Sequence, residues 1–106
     1  MVVEVKDGVW TINAEGLTTF ASPRMAEILG TTPDEMVGRS SFDYVYPEEA
    51  AAARVLFQAK QDGHIEPFEF RLRRHDGSPT RVRITGTAMY DPDGNFSGIV
   101  GVFQEL

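Results

Sequence analysis

Hydrophobic and charged residues alternate along two stretches in the C-terminal third of the chain. In FEFRLR the apolar side chains are Phe68, Phe70 and Leu72, and in RVRI they are Val82 and Ile84. A period of two is typical of a strand with one face buried and the other in water. The pattern therefore predicts two neighbouring strands, joined at the Asp-Gly turn of HDGS.

The last apolar stretch, FSGIVGVFQEL, differs because it is apolar on both faces. Ile99 and Phe103 lie on one predicted face, and Val100 and Val102 lie on the other. A strand that is apolar on both sides is normally covered on both sides. We therefore expect Val100 and Val102, together with Trp10, to contact a second subunit or an added helix.

The N-terminal half of the chain predicts a hairpin followed by four helical segments. VWTINAEGLTTF is interpreted as strand, turn and strand, with Gly16 in the turn. SPRMAEILG begins with the N-cap Ser22 and a proline, and it ends at Gly30. Short turns in TTPDEMVG and SSFDYVY precede the longest helix, predicted from Pro47 to Asp62. This order indicates an α+β fold, an antiparallel sheet with helices on one face.

Composition restricts the function classes. The chain has 106 residues, the size of one domain, and a formal net charge of −6. It has no cysteine, which excludes disulfides and thiolate chemistry and makes the cytoplasm the expected location. The sequence has neither a signal peptide nor an apolar stretch long enough for membrane insertion.

Arginines are concentrated on the two alternating strands. A basic patch for nucleic acid is one interpretation, but no aromatic platform accompanies the arginines and the chain is acidic overall. We expect a solvated face paired with Glu69 or with carboxylates of a partner, and no nucleic-acid partner. The arginines concerned are Arg71, Arg73, Arg74, Arg81 and Arg83.

Two long stretches resemble the PAS family of sensory domains. They are DGVWTINAEGLTTFASPRMAEILGTTPDEMVGRSSFDYVYPEE, residues 7–49, and EFRLRRHDGSPTRVRITGTAMYDPDGNFSGIVGVFQEL, residues 69–106, and the resemblance as a whole runs over roughly residues 7–106. The resemblance implies a PAS-like five-stranded antiparallel sheet of order 2-1-5-4-3, cupped around helices and a small pocket. It also implies a non-catalytic sensory and dimerisation module, a homodimer attached to an output domain such as a histidine kinase of a two-component system, a cyclase or a phosphatase.

The chain departs from the family pattern at two places. Ser22 stands where the family often has asparagine, and the last strand stops at Glu105 and Leu106 where the family often ends Asp-Ile-Thr. The family commonly continues from this strand into a helix or coiled coil that leads to the output domain. We therefore expect residues 1–106 to be a single PAS-like domain of a longer multidomain protein.

The resemblance also suggests cofactors, which the residues restrict. Light-sensing members form a flavin adduct with cysteine, and another subtype holds a cinnamoyl chromophore by a thioester; both are excluded because the chain has no cysteine. Haem-binding members use a histidine on the long helix, but His64 follows the predicted helix and His75 lies in a turn, so we expect neither haem nor a metal. No cofactor is predicted, and FAD bound without a covalent link stays open.

The remaining candidate site is an apolar pocket between the helices and the sheet. Small residues in the long helix and the central strands, including Gly86 and Gly101, permit either a void or close packing. A void would suit a small apolar ligand such as an acyl chain, with Arg39, Tyr44 and Tyr46 as a polar anchor. The expected lining residues are Phe20, Met25, Ile28, Leu29, Met36, Phe42, Val45, Leu56, Phe57, Phe70, Ile84 and Phe103.

Three functions are compatible with these patterns. The first is the sensory module, which binds a ligand or a partner and passes the change to its output domain. The second is a pure protein-interaction domain with a filled core. The third is a small-molecule enzyme in a cupped α+β fold, which needs a buried carboxylate or histidine. The sequence places no acidic residue convincingly on an inner face, so we predict no catalytic residue and favour the first function.

Overall fold

A computed structural model describes residues 6–63 and 66–106 of the chain. Its strands are β1 (Gly8–Asn13), β2 (Thr18–Ala21), β3 (Phe68–Arg73), β4 (Pro79–Tyr90) and β5 (Phe96–Glu105). Its α-helices are α1 (Pro23–Leu29), α2 (Pro33–Met36) and α3 (Ala50–Gln61), with 3-10 turns at Ser41–Tyr44 and Pro47–Glu49. The strands form one antiparallel sheet of order β2-β1-β5-β4-β3, so the predicted fold class and strand order are confirmed.

The predicted ends of the first helix are confirmed. The Ser22 hydroxyl accepts a hydrogen bond from the backbone N–H of Met25 at 3.2 Å, and it accepts a second from Val9 in β1 at 2.9 Å. The cap therefore also attaches the helix to the sheet. Gly30 ends α1 in the left-handed conformation (φ 69°), which glycine adopts without steric cost.

The longest predicted helix begins later than its sequence indicates. Pro47–Glu49 forms a 3-10 turn, and α3 starts at Ala50 because Glu49 has non-helical backbone angles (φ −109°, ψ 1°). The glutamates thus precede α3 instead of forming its first turn. They remain next to the sheet, where Arg71 reaches Glu49 at 2.8 Å.

The core lies between the sheet and the first two helices. α1 contacts β1, and α2 contacts both β2 and α1. The approach of α1 is close, since a Cβ at Gly8 would lie 2.8 Å from the Cα of Met25. The side chains sealed in this layer are Met25, Ile28, Leu29 and Met36, which are at most 1% exposed. They were expected to line the pocket, but they fill the core beside it.

Strand register corrects the predicted positions of two aromatic side chains. Trp10 pairs with Gly101, and cross-strand partners share a face, so Trp10 lies on the helix-covered side with Phe103 and not on the outer side. Phe20 pairs with Thr11, which puts it on the outer face, where it is 51% exposed instead of lining the pocket. The two aromatics exchange the places that the sequence suggested.

The outer face of the sheet carries an apolar row and a set of ion pairs. Phe20, Thr11, Val100 and Thr87 are successive partners across four strands. Val102, on the same outer face, is already buried within the single chain, with 7% of its surface exposed. The predicted pairing with Glu69 is confirmed, because this carboxylate lies 3.7 Å from Arg81 and 3.1 Å from Arg83. No helix in the part of the chain that the structure describes has the length and apolar character to cross a membrane.

Candidate ligand-binding cavity

A cavity of about 120 Å³ lies between the inner face of the sheet and α3. Gly86 of β4 and Gly101 of β5 pair directly and both line it. A Cβ at Gly101 would lie 2.7 Å from the ring of Phe103, and one at Gly86 would lie 3.3 Å from Cε of Lys60. The two glycines therefore let Phe103 and Lys60, which both line the cavity, lie close against the middle of this face.

Trp10 forms a fixed wall of the cavity. It is 4% exposed, and its indole Nε1 donates a hydrogen bond to the hydroxyl of Thr18 at 2.9 Å. Its ring packs edge-on against Tyr44, with centroids 5.6 Å apart, and against Phe103 at 5.4 Å. Because a hydrogen bond and two ring contacts orient the indole, this wall is preorganised.

The α3 side of the cavity is also aromatic. Phe57 of α3 lies 6.4 Å from the ring of Phe42 in the first 3-10 turn and 5.9 Å from the ring of Phe96 in β5. Ala53, one turn before Phe57, lines the same side with a small side chain. The helix thus contributes both an aromatic bridge to the strands and the space beside it.

Lys60 brings a charge to this apolar cavity. Its side chain lines the cavity, the residue is 5% exposed, and Nζ donates a hydrogen bond to the backbone carbonyl of Glu66 at 3.0 Å. Nζ also lies 5.4 Å from the centre of the Phe68 ring. Burial lowers the pKa of Lys60, and the nearby charge of Glu66 partly opposes that shift.

The sequence matches the family model for the PAS fold over residues 1–106. The chain belongs to the PAS family. This PAS domain superimposes on the PAS domain of a protein from Colwellia psychrerythraea with a TM-score of 0.88 at 14% identity, covering 96% of this chain and 87% of that one. A sensory box histidine kinase/response regulator from Burkholderia thailandensis gives a TM-score of 0.75 at 20% identity, covering 95% and 77%.

A curated relative matches in sequence as well. The PAS domain is 28% identical over 99 residues to the uncharacterized protein y4lL of Sinorhizobium fredii, a match that covers 92% of this chain. The chain spans 12% of the length of that relative. The likeness therefore concerns one domain of a much longer protein.

The cavity of this PAS domain brings together more than half of the predicted lining residues. These are Phe42, Val45, Leu56, Phe57, Phe70, Ile84 and Phe103. The small residues that the sequence associated with a possible void also line the cavity, at Ala53, Gly86 and Gly101. The structure adds residues that the sequence did not assign to a pocket: Trp10, Ile12, Ser41, Lys60, Phe68, Leu72 and Ile99. Phe68 and Leu72 share the period-two face of Phe70, so alternation along β3 was a usable signal for them.

The three residues predicted to form a polar anchor do not line the cavity. Arg39 lies on the surface, where it pairs with Glu35 at 3.8 Å. The Tyr46 hydroxyl donates to the carbonyl of Gly77 at 2.8 Å. The Tyr44 hydroxyl is buried without a hydrogen-bond partner among the residues that the structure describes, but Tyr44 does not line the cavity. The lining residues with an ammonium or a hydroxyl group are instead Lys60 and Ser41.

Of the two histidines of this PAS domain, the structure describes one. His75 is exposed in the β3–β4 turn, where its backbone N–H donates to the carbonyl of Leu29 at 2.8 Å. His64 lies outside the described residues. Within those ranges, no group of three or more histidine, aspartate or glutamate side chains is arranged to hold a metal ion.

Proposed function

We propose that this PAS domain is a non-catalytic sensory module whose cavity binds a small apolar ligand. The observation that carries the proposal is the cavity of about 120 Å³, which lies among aromatic and aliphatic side chains. An engineered apolar cavity of about 150 Å³ in another protein binds benzene. The volume here therefore suits a single ring or a short acyl chain.

The proposed signal runs through β5. Ile99 and Phe103 of this strand line the cavity, while Val100 and Val102 alternate with them on the outer face. A ligand that prefers one position of β5 therefore changes both faces of the sheet. Such a ligand shifts the equilibrium between two arrangements by its difference in affinity for them.

The proposed readout is a homodimer and an attached output domain in the cytoplasm. On the outer face, Phe20 of β2 and Val100 of β5 both pair with Thr11 of β1, and a second copy of the chain would cover these side chains. Since the chain matches 12% of a longer relative, we propose that it precedes an output domain. The Burkholderia thailandensis neighbour, a sensory box histidine kinase/response regulator, supports a kinase as one such output, with a cyclase or phosphatase as alternatives.

The cavity favours this function over the two alternatives. A pure interaction domain with a filled core does not require an unfilled apolar volume between the sheet and α3. The enzyme alternative was expected to need a buried carboxylate or histidine, and the cavity-lining residues that the structure describes include neither; Lys60 is the one ionisable side chain among them.

Filling the cavity tests the proposal. Ala53→Leu adds side-chain volume to the cavity, and Ala52→Leu makes the same change at an exposed position of α3. With 1-hexanol at about ten times its dissociation constant, we expect a gain of about 1.4 kcal/mol in stability. That corresponds to a rise of about 6 °C in the melting temperature of a domain of this size.

The expected result is a gain in the wild type and in Ala52→Leu that is absent in Ala53→Leu. The single tryptophan, Trp10, lies in the cavity wall, so its emission should change with the same selectivity. If 1-hexanol shifts neither the melting temperature nor the Trp10 emission of the wild type, the ligand-binding function is wrong. If all three proteins respond alike, binding occurs outside the cavity and the proposal is equally wrong.

A further inference from the structure

We infer that the cavity takes a carboxylate with a short apolar tail, and that the ammonium of Lys60 binds the carboxylate. The inference rests on the proposed function, because it assumes that the cavity holds a ligand. It adds the chemical class of that ligand and the residue that selects it.

The position of Lys60 places a cation at the edge of an otherwise apolar volume. The lysine lies in the last turn of α3, and its Cδ and Cε atoms pass close to Gly86 on the sheet. Its Nζ lies beside the ring of Phe68, which also lines the cavity. An anionic group held at Nζ would therefore leave its tail among the aromatic side chains.

The hydrogen bonds of Lys60 leave capacity for a ligand. An ammonium carries three N–H donors, and in the part of the chain that the structure describes the ammonium of Lys60 donates to one acceptor, the carbonyl of Glu66. None of the ion pairs among those residues includes Lys60. Lysine is seldom buried without a paired anion, since the desolvated charge is costly. Glu66 acts on Lys60 through its nearby charge but forms none of the ion pairs among the described residues, so a ligand carboxylate would supply a contacting anion and a second acceptor.

The rest of the lining determines the remainder of the ligand. Of the side chains that the structure describes around the cavity, Lys60 carries a charge, Ser41 carries a hydroxyl, and Trp10 directs its N–H to Thr18. The others are aliphatic or aromatic. This distribution suits one anionic end and one apolar end. A cationic ligand would be repelled by the ammonium, since the lining residues that the structure describes include no carboxylate to attract it.

Lys60 also has a simpler structural interpretation. Its hydrogen bond to Glu66 and its contact with Phe68 connect the end of α3 to the start of β3. In that case, removing the ammonium changes the stability of the domain but leaves its preference among ligands unchanged. The two interpretations therefore predict different preferences among ligands when the ammonium is removed, whereas a change in the stability of the domain is compatible with both.

The experiment compares three probes of nearly equal size: hexanoate, 1-hexanol and hexylammonium. Dissociation constants are measured from Trp10 emission and from melting temperature in the wild type and in Lys60→Met, which keeps an unbranched apolar side chain. Lys60→Gln is the second variant, since it retains a donor without the charge. Arg54→Met is the matched control, because it removes a positive charge from an exposed position of α3 that does not line the cavity.

We expect the wild type and Arg54→Met to bind hexanoate about tenfold or more tightly than 1-hexanol, as a hydrogen bond to a charged group allows. We expect hexylammonium to bind most weakly. In Lys60→Met and Lys60→Gln, the preference for hexanoate should disappear while 1-hexanol still binds. Equal binding of hexanoate and 1-hexanol by the wild type, or a preference that persists in both Lys60 variants, would overturn the anchor but leave the sensory function intact. If no probe binds the wild type, the proposed function fails as well.

Discussion

The hydrogen bond between Trp10 and Thr18 makes a quantitative prediction about the cavity wall. Thr18 is 2% exposed, and its hydroxyl accepts from the indole Nε1 at 2.9 Å. Thr18→Val keeps the shape of the side chain but removes the acceptor. The backbone of residue 18 stays in place through its own hydrogen bonds, to Arg39 and from Gly38, each 2.8 Å long. The substitution therefore isolates one buried donor that loses its partner.

The cost of that loss can be estimated. Leaving a buried donor unsatisfied costs about 1–3 kcal/mol. With an unfolding entropy of about 2.1 cal/mol/K per residue, this lowers the melting temperature of a chain of this length by about 5–13 °C. Urea denaturation followed by far-UV circular dichroism measures the free energy directly, and the emission of Trp10 provides a second signal.

Thr19→Val is the matched control on the same strand. Thr19 is exposed, and its hydroxyl donates to the carbonyl of Thr11 at 3.1 Å, so its loss should cost less than about 0.5 kcal/mol. In a Trp10→Phe background, Thr18→Val should cost clearly less than it does alone, because the donor is already gone. Two results would refute the placement of the indole against Thr18. One is an equal cost for Thr18→Val and Thr19→Val, and the other is a cost of Thr18→Val that is as large in the Trp10→Phe background as in the wild type.

Three further predictions concern the strand pairing, the outer face and the buried lysine. Gly98→Ala should destabilise the domain by roughly 2–4 kcal/mol in urea denaturation, because its Cβ would lie 2.1 Å from the carbonyl oxygen of Ile12; a cost below about 1 kcal/mol would contradict the pairing. In light scattering, Phe20→Glu should convert a dimer into a folded monomer. Val55 on α3 is 69% exposed, and Val55→Glu should leave the dimer unchanged. A wild type that is monomeric refutes the proposed interface. Burial lowers the pKa of Lys60, so the unfolded chain binds more protons than the folded chain between the lowered pKa and about pH 10.4. The free energy of unfolding of the wild type relative to Lys60→Met should therefore rise with pH through that window. A flat or falling difference in urea denaturation from about pH 7 upward argues against the buried charge.

Features that depend on neighbours along the chain were predictable. The Ser22 cap and the end of α1 at Gly30 were both apparent in the sequence, because capping involves residues within one or two turns. The strands β3 and β4 were equally apparent, since side chains alternate strictly along a strand with one buried face. The strand order came from the family resemblance and not from these local patterns.

Pairing between distant strands decided what the local patterns left open. Along β1 and β2 apolar residues occur on both faces, so alternation could not tell that Trp10 points inward and Phe20 outward. The register of β1 on β5 decides it, because Trp10 pairs with Gly101, a residue far away in the sequence. When both faces of a strand carry apolar residues, alternation along the sequence does not show which face will be buried. The register against the neighbouring strand then decides it.

The sequence by itself determined the α+β class, most element boundaries and the hydrophobic residues available for a pocket. Only the tertiary structure decided whether glycines at 86 and 101 permit close packing or leave a cavity, because both outcomes use the same residues. It alone also placed Lys60 at that cavity. A lysine at the end of a helix is usually solvated, whereas here Nζ contacts the Phe68 ring at the start of β3 and the carbonyl of Glu66, and the residue is 5% exposed.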